Sequence, residues 1–215
     1  MSDHAAGKKN FNLLIVSIHH DLTEDFLGAI AADGGNELTI GSRSIMLDVV
    51  AGDPSEDSSF RERVSRANMI VMMVRFLDVL SLDKIRNVYH YLAQAGSVPK
   101  AIFYLRDKGE LDFKISCPSC GQKLWLRDTD VGKRGRCPNC SKPFVILSQA
   151  DHLKTQLLLP ENVPCYRVIA KDTDSFRSAI VKLLEAQDIG VTPADAGVSL
   201  EALKHATVRI QVQDV

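Results

Sequence analysis

The sequence predicts an α/β fold, a mostly parallel sheet with helices on both faces, interrupted by a small cysteine-bearing insertion. Three observations carry this. Strand-like apolar runs alternate with helical patterns along the chain. The runs FNLLIVSI, MIVMMV and KAIFYL are almost wholly apolar, as strands buried on both faces must be. Four of the five cysteines crowd into residues 117–140 instead of spreading along the chain.

Size and charge narrow the classes. A chain of 215 residues suits one domain plus a small module. Hydrophobic residues at 45% and charged residues at 25% exclude global disorder. Lys+Arg 26 against Asp+Glu 27 gives net −1, which excludes both a uniformly basic nucleic-acid coat and an acidic tail protein. The longest apolar run, Met69–Val74, falls far short of the ~20 residues that cross a bilayer. The opening residues MSDHAAGKKN hold no signal-peptide core. A cytoplasmic location with no membrane partner is the expectation.

The elements follow in order. Phe11–Ile18 is the first buried strand. Asp21 or Thr23 can cap a helix with Leu22, Phe26, Leu27 and Ile30 inward, stopped by Gly34 and Gly35. Glu37–Ile40 and Ser44–Val50 flank Gly41-Ser42-Arg43 and read as a hairpin that adds an antiparallel edge strand. Ala51–Ser58 is a polar loop, and Phe60, Val64 and Ala67 mark a short helix. Met69–Val74 is the second buried strand. Ser81 is placed to cap a helix with Leu82, Ile85, Val88, Tyr89 and Leu92 inward, ended by Gly96. Lys100–Leu105 is the third buried strand. After the cysteine segment come a helix over Ala150–Leu159, a fourth strand over Cys165–Ala170 and a helix with Phe176, Ile180, Val181, Leu183 and Leu184 on one side. In the tail, Thr192 and Pro193 start a helix, and Val208–Val212 alternates like a strand that should pair with a sheet edge. The division is a body over 11–112, an insertion over 113–147, the body again over 148–188 and an extension over 189–215.

The cysteines form two CxxC pairs, Cys117/Cys120 and Cys137/Cys140, with sixteen residues between the pairs. That spacing matches a tetrahedral Zn²⁺ site built from two tight turns. Pro118 and Pro138 preorganise the turns, and Gly121 permits close backbone approach. The apolar content between the pairs is thin (Leu124, Trp125, Leu126, Val131), so the segment needs a metal to staple it. Four thiolates leave no open coordination position, so one structural Zn²⁺ per chain is expected; a redox pair of CxxC motifs is the alternative. The stretch CPSCGQKLWLRDTDVGKRGRCPNC resembles the bacterial CPxCG zinc ribbon, with Ser141 where a second glycine often follows. From Lys114 to Leu147 seven Lys/Arg stand against Asp128 and Asp130, a net of +5 that leaves −6 on the remainder. If Trp125 is exposed, nucleic-acid contact through this basic segment is open; the plainer reading is a charged surface over a small core.

The body resembles a small Ras-like GTPase. LTIGSRSIMLDVVAGD matches the second and third strands running into the DTAG switch motif, and RANMIVMMVRFLDVLSLDKI the fourth strand and the helix after it. IFYLRDKGEL lies where the base-recognising NKxD strand falls, and VPCYRVIAKDTDSF where the SAK strand falls. Every motif is degraded. At the place of the P-loop G-x-x-x-x-G-K-[ST] stands Ser17-Ile18-His19-His20-Asp21-Leu22-Thr23, with no glycine, no lysine and an acid that repels phosphate. In Val49-Val50-Ala51-Gly52 no carboxylate is in register for Mg²⁺, Asp48 being one residue early, and Asp53-Pro54 follows in place of a water-orienting Gln. Asp107-Lys108-Gly109-Glu110 is a remnant of NKxD, and Ala170-Lys171 of SAK. The resemblance therefore implies a pseudo-GTPase with no catalytic residues and no bound nucleotide. The role it implies is that of a protein-interaction or scaffold module, with a partner such as a roadblock-type regulator.

Other readings stay open. His19, His20 and Asp21, at a strand's carboxyl end, could form a metal or acid/base site, or one His could simply cap the loop. Cys165 reads as a core thiol. SFRERVSRANMIVMMV also resembles a TIR segment, although Ser81–Ala95 lacks the glutamate that NAD-cleaving TIR enzymes need. A nucleic-acid-binding ribbon on an inert α/β body is the further alternative.

Overall fold

The apolar runs form the centre of one sheet. The computed structural model describes residues 11–30, 37–40, 43–75, 79–94, 97–109 and 112–187. The body opens with β1 (Phe11–Ser17), α1 (His20–Ile30), β2 (Glu37–Ile40), β3 (Arg43–Ala51) and α2 (Phe60–Arg66). It continues with β4 (Met69–Arg75), α3 (Val79–Gln94) and β5 (Lys100–Arg106). The insertion holds β6 (Asp112–Ser116), β7 (Lys123–Arg127), a 3-10 turn at Asp128–Asp130, β8 (Arg134–Arg136) and β9 (Pro143–Val145). The chain then returns through α4 (Gln149–Leu157), β10 (Cys165–Ile169) and α5 (Thr173–Ala186). The six-stranded sheet has the order β10-β5-β4-β1-β3-β2. All its pairings are parallel except β2 on β3, the expected edge hairpin.

Strand alternation splits the core into two layers. Leu14, Val16, Ile70, Met72, Val74 and Ile102 pack against Phe60 and Val64 of α2, Leu82, Ile85 and Leu92 of α3, and Leu153 and Leu157 of α4. Leu13, Ile15, Val71, Met73 and Phe103 pack on the opposite face against Leu22 and Phe26 of α1 and Phe176, Ile180 and Leu183 of α5. The Phe26 and Phe176 rings meet edge-on at 5.0 Å and tie α1 to α5. Each of these fully buried side chains contributes about 1.5–3 kcal/mol. The inserted module is not separate from this core: Phe113, Ile115, Leu124 and Ile146 join the first layer. Phe113, Ile115 and Ile146 lie outside the two CxxC pairs, whereas Trp125 and Val131 between the pairs are exposed.

Several expectations need correction. α1 begins at His20, so neither Asp21 nor Thr23 precedes it. Ser17 turns the chain early: its Oγ accepts from the His19 N–H at 3.2 Å, and Thr23 Oγ donates to the His19 carbonyl at 3.2 Å. Ser81 lies inside the first turn of α3, which begins two residues earlier at Val79. The helix stops at Gly34, Gly35 and Gly96, the Gly41-Ser42 turn and the tail helix and strand lie outside the described residues. No described helix is long and apolar enough to cross a membrane.

Candidate metal centre

Two turns with the same hydrogen-bond pattern bring the cysteines together. In each, the N–H four residues after the first cysteine donates to its carbonyl: Gly121 to Cys117 at 2.9 Å and Ser141 to Cys137 at 2.8 Å. The first cysteine's N–H closes the turn by donating to Gln122 (2.7 Å) or Lys142 (3.1 Å). The residue after each second cysteine is left-handed, Gly121 at φ 75° and Ser141 at φ 56°. A Cβ on Gly121 would meet nothing within 4 Å, so this glycine serves the turn's φ rather than a close backbone approach.

The four sulfurs all lie within 4.8 Å of one another. Cys117 and Cys140 are 3.8 Å apart, and Cys120 and Cys137 are 3.6 Å apart. A tetrahedron with Zn–S bonds of about 2.3 Å has edges of about 3.8 Å, so the donor set fits Zn²⁺. Cys137 is fully buried and Cys117 nearly so, while Cys120 is exposed. The Gln122 backbone N–H and the Asn139 side chain hold the Cys120 thiol down at about 6. At Cys140 the Lys142 N–H acts in the same direction but is outweighed by burial and by the thiols of Cys120, Cys137 and Cys117, which push it up to about 11. Clustered sulfurs resist joint ionisation unless a cation neutralises them. Among the described residues, no other group of three or more His, Cys, Asp or Glu is arranged to hold a metal. His19, His20 and Asp21 do not form one; Asp21 pairs with Arg75 at 3.2 Å.

An ionic hub, which the sequence did not single out, joins the module to the body. Asp128 accepts from Arg106 of β5 (3.3 Å), Arg167 of β10 (2.8 Å) and Gln149 of α4 (2.5 Å). The Arg106 side chain is only 1% exposed and also donates to the Asp112 carbonyl at 2.6 Å.

Near the carboxyl ends of the strands lie the segments compared above with GTPase motifs, in two separate groups. Only Ile18 and His19 separate β1 from α1. The Gly52 N–H donates to the Ser17 carbonyl at 2.9 Å, and a Cβ on Gly52 would lie 3.5 Å from His20 Nε2. Asp48 is taken by Arg63, at 2.5 Å and 3.1 Å, and Arg63 also holds Asp57. Asp107, Lys108, Ala170 and Lys171 line one open depression of about 620 Å³ with Asp172, Thr173 and Asp174. Lys171 is exposed at φ 61°, and Glu110 lies outside the described residues. Cys165 is half-buried, with Sγ 3.9 Å from the Val163 carbonyl, and burial pushes its thiol up to about 11, as suits an inert thiol. The chain matches no family model, and a comparison with curated proteins gives no match.

Proposed function

We propose that the chain is a catalytically silent, small-GTPase-like protein whose inserted ribbon holds one structural Zn²⁺ on Cys117, Cys120, Cys137 and Cys140, and that it works as a protein-interaction or scaffold module. Bound zinc supplies a four-thiolate crosslink between the two turns. The ribbon's burial against the first core layer and the Asp128 hub then hold that crosslink on the body.

The observation that carries the silent-GTPase reading is the two-residue connection between β1 and α1. A phosphate cradle needs a longer glycine-rich loop whose N–H groups converge on the anion, plus a lysine. Here the His19 N–H is spent on Ser17 Oγ and the Gly52 N–H on the Ser17 carbonyl, and the nearby cation Arg75 is taken up by Asp21. Asp48, the carboxylate one residue out of register for Mg²⁺, is committed to Arg63. The quoted segments support the kinship itself. The hairpin β2–β3 sits at the sheet edge, and the NKxD-like and SAK-like residues line one depression, where a base-recognition site would stand. Loss of two charge-assisted hydrogen bonds at ~1.5–3 kcal/mol each costs roughly two to four powers of ten in affinity. Calorimetry with GTP, GDP and ATP plus Mg²⁺ tests the reading. No heat of binding is expected at micromolar nucleotide, and micromolar binding of a guanine nucleotide overturns it. With chemistry lost, the switch-side and hairpin surfaces are left to contact a protein, such as a roadblock-type regulator.

A further inference from the structure

We propose that the outer face of the β6–β7 hairpin is a docking surface for single-stranded nucleic acid, with Trp125 as the base-stacking platform. The inference stands on the ribbon alone and is independent of the GTPase reading. The antiparallel register sets Lys114 opposite Trp125, Ser116 opposite Lys123 and Asp112 opposite Arg127. Directly opposed residues share a face, so these six form one surface. The alternate row, Phe113, Ile115 and Leu124, is buried in the body core. The hairpin's packing needs are therefore met from its inner face, yet the chain's one tryptophan sits on the outer face, 64% exposed. Lys114 Nζ lies 3.9 Å from the centre of the Trp125 ring.

Charge selects the occupant. The ribbon segment carries net +5 and the remainder of the chain −6, so a polyanion is drawn to this module and repelled elsewhere. The only acid on the face, Asp112, is 3.8 Å from Arg127. An exposed aromatic ring among cations suits unpaired bases, which stack on it while the cations follow the phosphates. A duplex keeps its bases stacked on one another and offers no free base face to the ring.

Because Trp125 is the sole tryptophan, its own fluorescence reports the contact. The zinc-loaded full chain is titrated with oligo-dT and oligo-rU strands of about 12 nucleotides at about 50 mM salt. Saturable quenching is expected, with a log–log salt slope of about −1.4 from Lys114 and Lys123 at ~0.7 per phosphate, Arg127 being balanced by Asp112. By anisotropy of a labelled strand, Trp125→Ala should weaken binding about tenfold or more, Trp125→Phe should retain most of it, and Lys123→Gln should flatten the slope by about 0.7. Zinc stoichiometry of each variant reports whether the ribbon is folded, and Trp125→Phe serves if Trp125→Ala is not. The comparison of dT with rU shows whether the sugar matters. The proposal is overturned by absence of quenching, by unchanged affinity in Trp125→Ala, by tighter binding of a duplex, or by equal competition from polyglutamate.

Discussion

Replacing Asp128 by Ala should be strongly destabilising although the position is partly exposed. The carboxylate receives Arg106, Arg167 and Gln149 from three elements of the body and itself belongs to the ribbon. Three charge-assisted hydrogen bonds at about 1.5–3 kcal/mol each would sum to well over 4 kcal/mol. That sum is too large, because Asp128 is 29% exposed and water takes over part of its role. The other bound comes from Arg106. Its side chain is 1% exposed and keeps the Asp112 carbonyl after the substitution, but loses the Asp128 carboxylate. Removing one partner of a buried pair costs about 3–5 kcal/mol. A loss of about 3 kcal/mol is the result, or a fall in Tm of about 6–12 °C for a chain of this size. Urea unfolding of the zinc-loaded protein measures it. Arg66→Ala, which breaks the solvent-exposed Arg66–Glu62 pair, is the control and should change stability by less than about 0.5 kcal/mol. A loss in Asp128→Ala as small as in that control would refute the hub.

The turns, the ligands and one buried histidine give three further tests. Ser141→Gly relieves about 1–2 kcal/mol of left-handed strain and returns about 0.5–1 kcal/mol through a freer unfolded chain, so zinc-loaded unfolding should show a gain of about 0.5 kcal/mol. Gly121→Ala at φ 75° should lose about 1 kcal/mol in the same assay. Cys137→Ser should abolish stoichiometric zinc and change the Trp125 fluorescence while far-ultraviolet circular dichroism keeps most of the helix signal, since the six-stranded sheet pairs without the ribbon. Burial holds His152 below its ordinary value of 6.5, and its Nε2 has no hydrogen-bond partner. As pH falls below 6.5 the unfolded chain takes up this proton first, so the stabilisation present above 6.5 is lost toward acid. His152→Gln should flatten that part of the stability–pH curve relative to wild type, and identical curves would contradict it.

What the sequence makes legible follows from the range of the interactions. FNLLIVSI and MIVMMV identify central strands because burial on both faces leaves no polar alternation, and Leu13–Val16 and Met69–Val74 are indeed at 0–1% exposure. The CxxC pairs identify the thiol cluster because each turn is closed locally, within five residues. Ser148 begins α4 by accepting from the Asp151 N–H, and Asp172 begins α5 by accepting from the Ser175 N–H; both are local caps, yet neither is among the sequence expectations, which placed these helices by their apolar residues alone. The hub had no such signal. Asp128 meets Arg106, Gln149 and Arg167 across 22, 21 and 39 residues, and in the sequence it is one acid in a basic run. Arg63 on Asp48, 15 residues apart, is hidden for the same reason. The starts of α1 and α3 depart from Asp21, Thr23 and Ser81 because a polar residue in the first turn has the same composition as one that precedes it.

Native mass spectrometry of the full chain, incubated with GTP and Mg²⁺, tests the central claim most directly because metal and nucleotide are weighed together. The account predicts a chain carrying one zinc, lost in Cys137→Ser, and no nucleotide adduct. A zinc-free native chain, or one that retains guanine nucleotide, would contradict it.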